Sequence, residues 1–130
     1  MQSMNSSGGG PPLPASAAIS LCDDGTPNCP PAASFSVAAL RDLIIHVTWE
    51  NVPAGNHVQT LEILSPGGDP YQSTQTGFLI SDATGGSFSS SRVLPVVGTW
   101  IPQRHLTGQW SVRASLDGQP IATQPVEFTP

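Results

Sequence analysis

Histidines and serines are the side chains of this 130-residue sequence that could act as catalysts or metal ligands. His46, His57 and His105 are widely separated, so no two have the short spacing of a local zinc-binding pair. A serine hydrolase needs Ser, His and an acid together, and nothing resembles the G-x-S-x-G motif. The serine-rich segment GGSFSSS is typical of a loop that enters a strand. We therefore predict no enzyme activity, no cofactor and no metal site, with a small hydrolase as the remote alternative.

The two cysteines, Cys22 and Cys29, bracket the short segment DDGTPN. A loop of this length, with Gly25 and Pro27 in it, can bring the two Cα atoms within disulfide distance. Free thiols and a metal site are the alternatives, but structural zinc needs four ligands, and the segment lacks the ligand series of a calcium loop. We predict a disulfide between Cys22 and Cys29. Since disulfides persist in oxidising compartments, the protein should be extracellular or at the cell surface.

Trp100 and Tyr71 are the aromatic side chains that could stack on sugar rings. The other two tryptophans, Trp49 and Trp110, alternate with branched aliphatic residues along their strands and should belong to the core. Trp100 and Tyr71 lack that pattern. They are the candidate ligand-stacking residues if the protein binds polysaccharide.

Charge content and hydropathy exclude two classes of partner. Charged residues make up 10% of the chain, none of them is Lys, and the net charge is −5. Without a basic stripe to displace counterions from phosphates, we expect no nucleic-acid partner. No segment is long and apolar enough to span a bilayer, and residues 1–21 lack the features of a signal peptide. Such weak charge permits association between like chains.

Short apolar runs with a period of two, separated by Gly and Pro, predict β-strands throughout the chain. The clearest is QWSVRASL, followed by Asp117–Gly118, a strong hairpin signal. Its predicted inward residues are Trp110, Val112, Ala114 and Leu116. Pro120 and Pro125 restrict the closing strand to edge-type pairing. About seven or eight such strands predict an all-β, antiparallel sandwich.

The segments VTWENVPAGNH and LTGQWSVRASLDGQPIATQPVEF resemble a bacterial immunoglobulin-like or fibronectin-type surface domain. In those domains a Gly-x-Trp-x-Val strand leads through a polar hairpin into the last strand. The resemblance covers roughly residues 34–129 and differs from antibody domains, because no cysteine lies in the candidate core strands. It implies an immunoglobulin-like sandwich and an extracellular setting, and it transfers no functional residue.

The chain divides into three predicted parts. Residues 1–14 form a flexible Gly- and Pro-rich leader, 15–33 an N-terminal strand with the cysteine loop, and 34–130 the sandwich. The candidate strand-donor residues, which share one face of the N-terminal strand, are Ala15, Ala17, Ile19 and Leu21. This strand either belongs to its own sandwich or pairs with a neighbouring chain, and head-to-tail donation would build a filament.

These observations favour a non-catalytic, extracellular structural or adhesive module. It would be a self-assembling surface filament subunit if the N-terminal strand is donated, with itself or other surface proteins as partners. A carbohydrate-binding module that uses Trp100 and Tyr71 is the alternative.

Overall fold

Strands account for most of the computed structural model, which describes residues 14–23, 32–96, 99, 101 and 106–130. The strands are β1 (Ser16–Cys22), β2 (Ser34–Ser36), β3 (Asp42–Val52), β4 (Gly55–Leu64), β5 (Pro70–Ile80), β6 (Gly86–Pro95), β7 (Gly108–Leu116) and β8 (Gln119–Thr129). They form a three-stranded sheet of order β1-β3-β6 and a five-stranded sheet of order β2-β8-β7-β4-β5. Only the short β2–β8 pair is parallel among these strands. The predicted all-β sandwich is confirmed.

The core lies between the two sheets, where every second side chain of the central strands is buried. In β7 the predicted inward residues are all buried, and β3 shows the same alternation. The largest fully buried side chains include Trp49, Trp110, Phe128, Leu43, Ile45 and Leu94. Both tryptophans assigned to the core from sequence therefore lie there. Nowhere in the described ranges is there a helix long and apolar enough to cross a bilayer.

The hairpin between β7 and β8 turns at Asp117 and Gly118, as predicted. Their φ angles are 51° and 88°, a left-handed conformation that Asp tolerates and Gly adopts without strain. In β8, Pro120 and Pro125 precede the short stretch, residues 127–129, that β2 covers. Neither proline therefore interrupts a strand with described partners on both sides, in agreement with edge-type pairing.

One buried amide joins the two sheets. The Gln59 side chain of β4 is buried, and its Oε1 accepts hydrogen bonds from Trp49 Nε1 at 2.8 Å and Ser90 Oγ at 3.0 Å. Trp49 and Ser90 lie in the three-stranded sheet, whereas Gln59 lies in the five-stranded sheet. A buried acceptor with two donors is well satisfied, so the bonds fix the relative position of the sheets.

Candidate functional site

The N-terminal strand completes the three-stranded sheet of its own chain. β1 pairs antiparallel with β3, in a register that runs from Ser16 opposite Glu50 to Cys22 opposite Ile44. Leu21 is 1% exposed. The other candidate donor residues pack half-buried against the core: Ala15, Ala17 and Ile19. The apolar face of this strand is therefore covered without a neighbouring chain.

Of the remaining predicted site residues, the structure describes Cys22 and Tyr71. Cys22 is fully buried and is not a free thiol, but Cys29 lies outside the described residues, so the Cys22–Cys29 disulfide stays a prediction. Trp100 also lies outside them. Tyr71 is half-buried and meets Trp110 edge-on, with ring centroids 5.2 Å apart at 75°. Tyr71 therefore packs against the core and presents only part of its surface.

The two described histidines make hydrogen bonds within the sandwich. His46 Nδ1 lies 2.7 Å from Ser91 Oγ on the outer face of the three-stranded sheet, and His57 contacts Asp117. His105 lies outside the described residues. Within the described ranges, no group of three or more His, Cys, Asp or Glu side chains could hold a metal ion.

One side of the sandwich is formed by two long edge strands. Among the described strands, β5 pairs only with β4, and β6 pairs only with β3. Phe78 of β5 and Phe88 of β6 stack with ring centroids 4.1 Å apart at an angle of 1°, so the two edges lie one above the other. We call the surface formed by β5 and β6 the open side. It offers two runs of main-chain groups to an additional strand.

The open side carries almost no charge. β5 has no charged residue, and the one in β6, Arg92, lies opposite the buried Ile45 with its Nε atom buried. Proteins usually protect edge strands with Lys and other charges, with Pro or with bulges. The segment Gln72–Ile80 has none of these and pairs with β4 in an unbroken register. This segment is therefore an unprotected edge.

Uncharged residues at alternate positions of the open side face solvent. They are Ser73, Gln75, Gly77 and Leu79 on β5, and Ser87, Ser89, Ser91 and Val93 on β6. Leu79 is 62% exposed. None of these side chains would repel an incoming strand through charge.

On the opposite side of the sandwich a short chain segment crosses between the sheets. The Ala32 N–H donates to Leu21 O in β1 at 2.9 Å, and the Glu127 N–H in β8 donates to Ala33 O at 2.8 Å. The neighbouring β2 has three residues, and two prolines interrupt the donors of β8. The remaining edge on this side is β1, which among the described strands pairs only with β3 and is shorter than β5, with seven residues against eleven.

His57 and Asp117 close one end of the sandwich. His57 Nδ1 lies 2.7 Å from Asp117 Oδ2, and its Nε2 lies 2.7 Å from Pro53 O. A carboxylate and a carbonyl both accept, so both ring nitrogens donate only when His57 is protonated. Asp117 Oδ1 also accepts from the Val58 N–H at 2.8 Å, and the Asp117 N–H donates to Val58 O at 2.8 Å. We call this the His57–Asp117 clasp.

The clasp shifts the pKa of both partners. The hydrogen bond to Asp117 raises the pKa of His57, with a smaller contribution from Pro53 O, and this outweighs the lowering by desolvation. The hydrogen bonds from His57 and from the Val58 N–H lower the pKa of Asp117. The clasp therefore favours the doubly charged pair.

The clasp should make stability depend on pH. Because the pKa of His57 is raised, its protonation stabilises the fold fully below pH 6.5, the ordinary pKa of histidine. This stabilisation is lost as the pH rises through the raised pKa. Because the pKa of Asp117 is lowered, its ionisation stabilises the fold fully above pH 3.8, the ordinary pKa of aspartate. This stabilisation is lost as the pH falls through the lowered pKa. The clasp thus contributes most to stability between pH 3.8 and pH 6.5. Asp117 is 50% exposed, so water screens the pair and the contribution should be about 1 kcal/mol.

Urea unfolding at about pH 5.5 and about pH 8.5 checks this expectation. The Asp117→Asn variant is the control, because Asn tolerates the left-handed conformation and keeps an acceptor for the Val58 N–H. The two proteins differ only at residue 117, so the difference between them isolates the clasp. The wild type should lose more stability than the variant on going to the higher pH. Equal losses would show that the clasp does not form.

A cleft of about 870 Å³ adjoins the clasp. Besides His57 and Asp117, its lining includes Pro14, Ala15, Ala83, Leu116, Gln119 and Ile121. Both ring nitrogens of His57 are engaged by acceptors, so the ring has no lone pair to act as a general base while the clasp is formed. The cleft is thus a concave surface without an activated nucleophile among these residues.

Comparison with solved structures identifies the architecture. The chain is similar to an immunoglobulin-like protein from Pseudomonas aeruginosa, with a TM-score of 0.51 and 11% identity over 90% of this chain and 93% of the other. The fold is immunoglobulin-like. The resemblance in the sequence is confirmed at this level. At such identity the likeness shows the fold alone.

The chain also resembles part of a β-glucosidase from Listeria innocua. The TM-score is 0.50 both for that enzyme in complex with glucose, at 12% identity, and for a mutant of it with laminaribiose, at 13%. Each match covers 88% of this chain but 16% of the enzyme chain, so this chain spans about a sixth of the enzyme's length. No protein-family model and no curated protein matches the sequence.

Sequence reasoning missed both the open side and the clasp. The lack of charge in residues 71–80 was a usable signal, but it has meaning only once β5 is known to be an edge. The clasp has no local signal, because His57 and Asp117 are 60 residues apart in sequence.

Proposed function

We propose that this chain is a non-catalytic structural or adhesive module that acts outside the cell or on its surface. The observation that carries the proposal is the long, uncharged edge of β5 from Gln72 to Ile80. Such an edge binds another strand through main-chain hydrogen bonds, which provide affinity and need no catalytic residue. The open side is therefore the contact surface.

Two further observations support this proposal. Both ring nitrogens of His57 face acceptors, so the histidine nearest the cleft is held as part of the structure. Cys22 is not a free thiol, which agrees with the predicted disulfide and hence with an oxidising compartment.

Assembly through a donated N-terminal strand remains a separate hypothesis. β1 already pairs with β3 in its own chain along its whole length, and its free edge has seven residues against eleven in β5. We therefore propose the open side, rather than β1, as the surface that contacts other chains. The filament hypothesis is tested by truncation, as discussed below.

A peptide with the sequence of β5 tests the proposed function. A fluorescently labelled peptide of residues 70–80 should bind the full chain, because it can add a strand to the β5 edge. The control peptide carries N-methyl groups on Gln75 and Thr76, whose N–H groups point to opposite edges of an extended strand. It should bind roughly fivefold more weakly, since the lost donor that faces β5 costs about 1 kcal/mol. Failure of the first peptide to bind, or equal binding of both, would refute the proposal.

A carbohydrate-binding module is the second candidate. The likeness to part of a β-glucosidase that was solved with glucose and the incomplete burial of Tyr71 support it. The test is a pull-down with insoluble polysaccharide. Binding that is lost in Tyr71→Ala or Trp100→Ala would favour this candidate, whereas absence of binding would count against it.

A further inference from the structure

We infer that the strand which the open side binds is β5 of a second copy of this chain. The two copies would meet antiparallel about a two-fold axis, so that their five-stranded sheets become one continuous sheet. This inference rests on the proposed function and names its partner. It uses three properties of β5: its unbroken register, its neutral side chains and the position of the nearest acids.

The unbroken register determines where the axis lies. β5 pairs regularly with β4 from Gln72 to Ile80, and the register breaks where Ile63 is followed by Leu64. Pairing this whole segment with itself in the antiparallel direction puts its midpoint, Thr76, on the axis. Each Thr76 then faces its copy, a favourable cross-strand pair.

The side chains around this axis fit one another. Gln75 of one copy lies opposite Gly77 of the other, and the absence of a Cβ at Gly77 leaves room for the longer side chain. No Cβ built at Gly77 would come closer than 4.0 Å to its own chain, so the position is open. The two Gln75 side chains are diagonal neighbours, about 7 Å apart. No charged side chain lies anywhere in the paired segment.

The nearest acids along the chain lie beyond both ends of the pairing. Asp69 precedes β5 and Asp82 follows it, and the two-fold arrangement brings Asp82 of one copy near Asp69 of the other. These like charges are exposed, so salt screens their repulsion. Self-association should therefore strengthen with ionic strength. Binding of an oppositely charged partner would weaken instead. A two-fold contact is closed, so it produces a dimer and no larger species.

Sedimentation equilibrium of the full chain tests this inference with a charge exchange at Gln75. The wild type should show a monomer–dimer equilibrium that shifts toward the dimer as salt is raised. Gln75→Lys alone and Gln75→Glu alone should each weaken the dimer roughly three- to tenfold, because they bring like charges together. A mixture of the two variants should recover dimer. Ser16→Lys, on β1 at the opposite side, is the matched control and should leave the dimer unchanged.

The outcomes separate this inference from the proposed function. A wild type that stays monomeric while it binds the β5 peptide would overturn the second copy as partner and leave the proposed function standing. A dimer that ignores both Gln75 substitutions, or one that is lost in Ser16→Lys, would also overturn the inference. If neither the peptide binds nor a dimer forms, both proposals fail.

Discussion

Deletion of residues 1–21 is expected to unfold the protein. The deletion removes nearly all of β1, and with it Leu21, which is 1% exposed, and Ile19, which packs against the core. The deletion also leaves β3 without one of its two neighbouring strands. Loss of one buried leucine costs about 2–5 kcal/mol, and whole domains are stable by about 5–15 kcal/mol. Circular dichroism and thermal melting should therefore show no cooperative transition in the truncated chain.

A shorter deletion provides the control. Removal of residues 1–13 leaves β1 intact and should preserve the free energy of unfolding. Light scattering on the same samples decides the filament hypothesis. If the chain without residues 1–21 is a folded monomer while the full chain forms polymers, the N-terminal strand belongs to a neighbour. That result would contradict the pairing of β1 with β3 within one chain.

Replacement of Trp110 by alanine should destabilise the protein by about 3–5 kcal/mol, the usual cost of deleting a core aromatic side chain. Trp110 is fully buried, packs on Phe128 with ring centroids 5.3 Å apart, and donates from Nε1 to Leu106 O at 2.9 Å. Urea unfolding gives the change in the free energy of unfolding. The exposed neighbour, Gln109→Ala, is the control and should change it by less than about 0.5 kcal/mol.

Trp110→Phe divides the effect of Trp110 into packing and hydrogen bonding. It keeps an aromatic ring but removes the N–H donor, so it should cost less than Trp110→Ala. A loss below about 1 kcal/mol for Trp110→Ala would mean that the assignment of the inward face of β7 is wrong.

Features encoded within one strand were predictable from sequence. β3 and β7 each bury one face against the opposite sheet, and the pleat makes that burial visible as a period of two. Trp49 and Trp110 could be assigned to the core on this basis. The turn at Asp117–Gly118 was predictable because few residue pairs adopt left-handed backbone conformations easily.

Features that depend on the order of strands in the sheets were not predictable. The sequence of β5 is polar along most of its length, which fits either an edge strand or a solvated central strand. Its position became clear only from the topology, which puts β6 in the other sheet beside β3. The His57–Asp117 clasp likewise depends on β4 reaching the β7–β8 hairpin. Pairing between distant segments depends on how the whole chain packs, and the residue pattern within one segment does not indicate it.

Hydrogen–deuterium exchange of the full chain, with and without the β5 peptide, tests the central claim most directly. The claim is that the open side binds strands through the main chain of β5. Exchange in the segment Gln72–Ile80 should be slower when the peptide is present, with no change in β1. Slower exchange in β1 instead, or no change in any segment at saturating peptide, would contradict the claim.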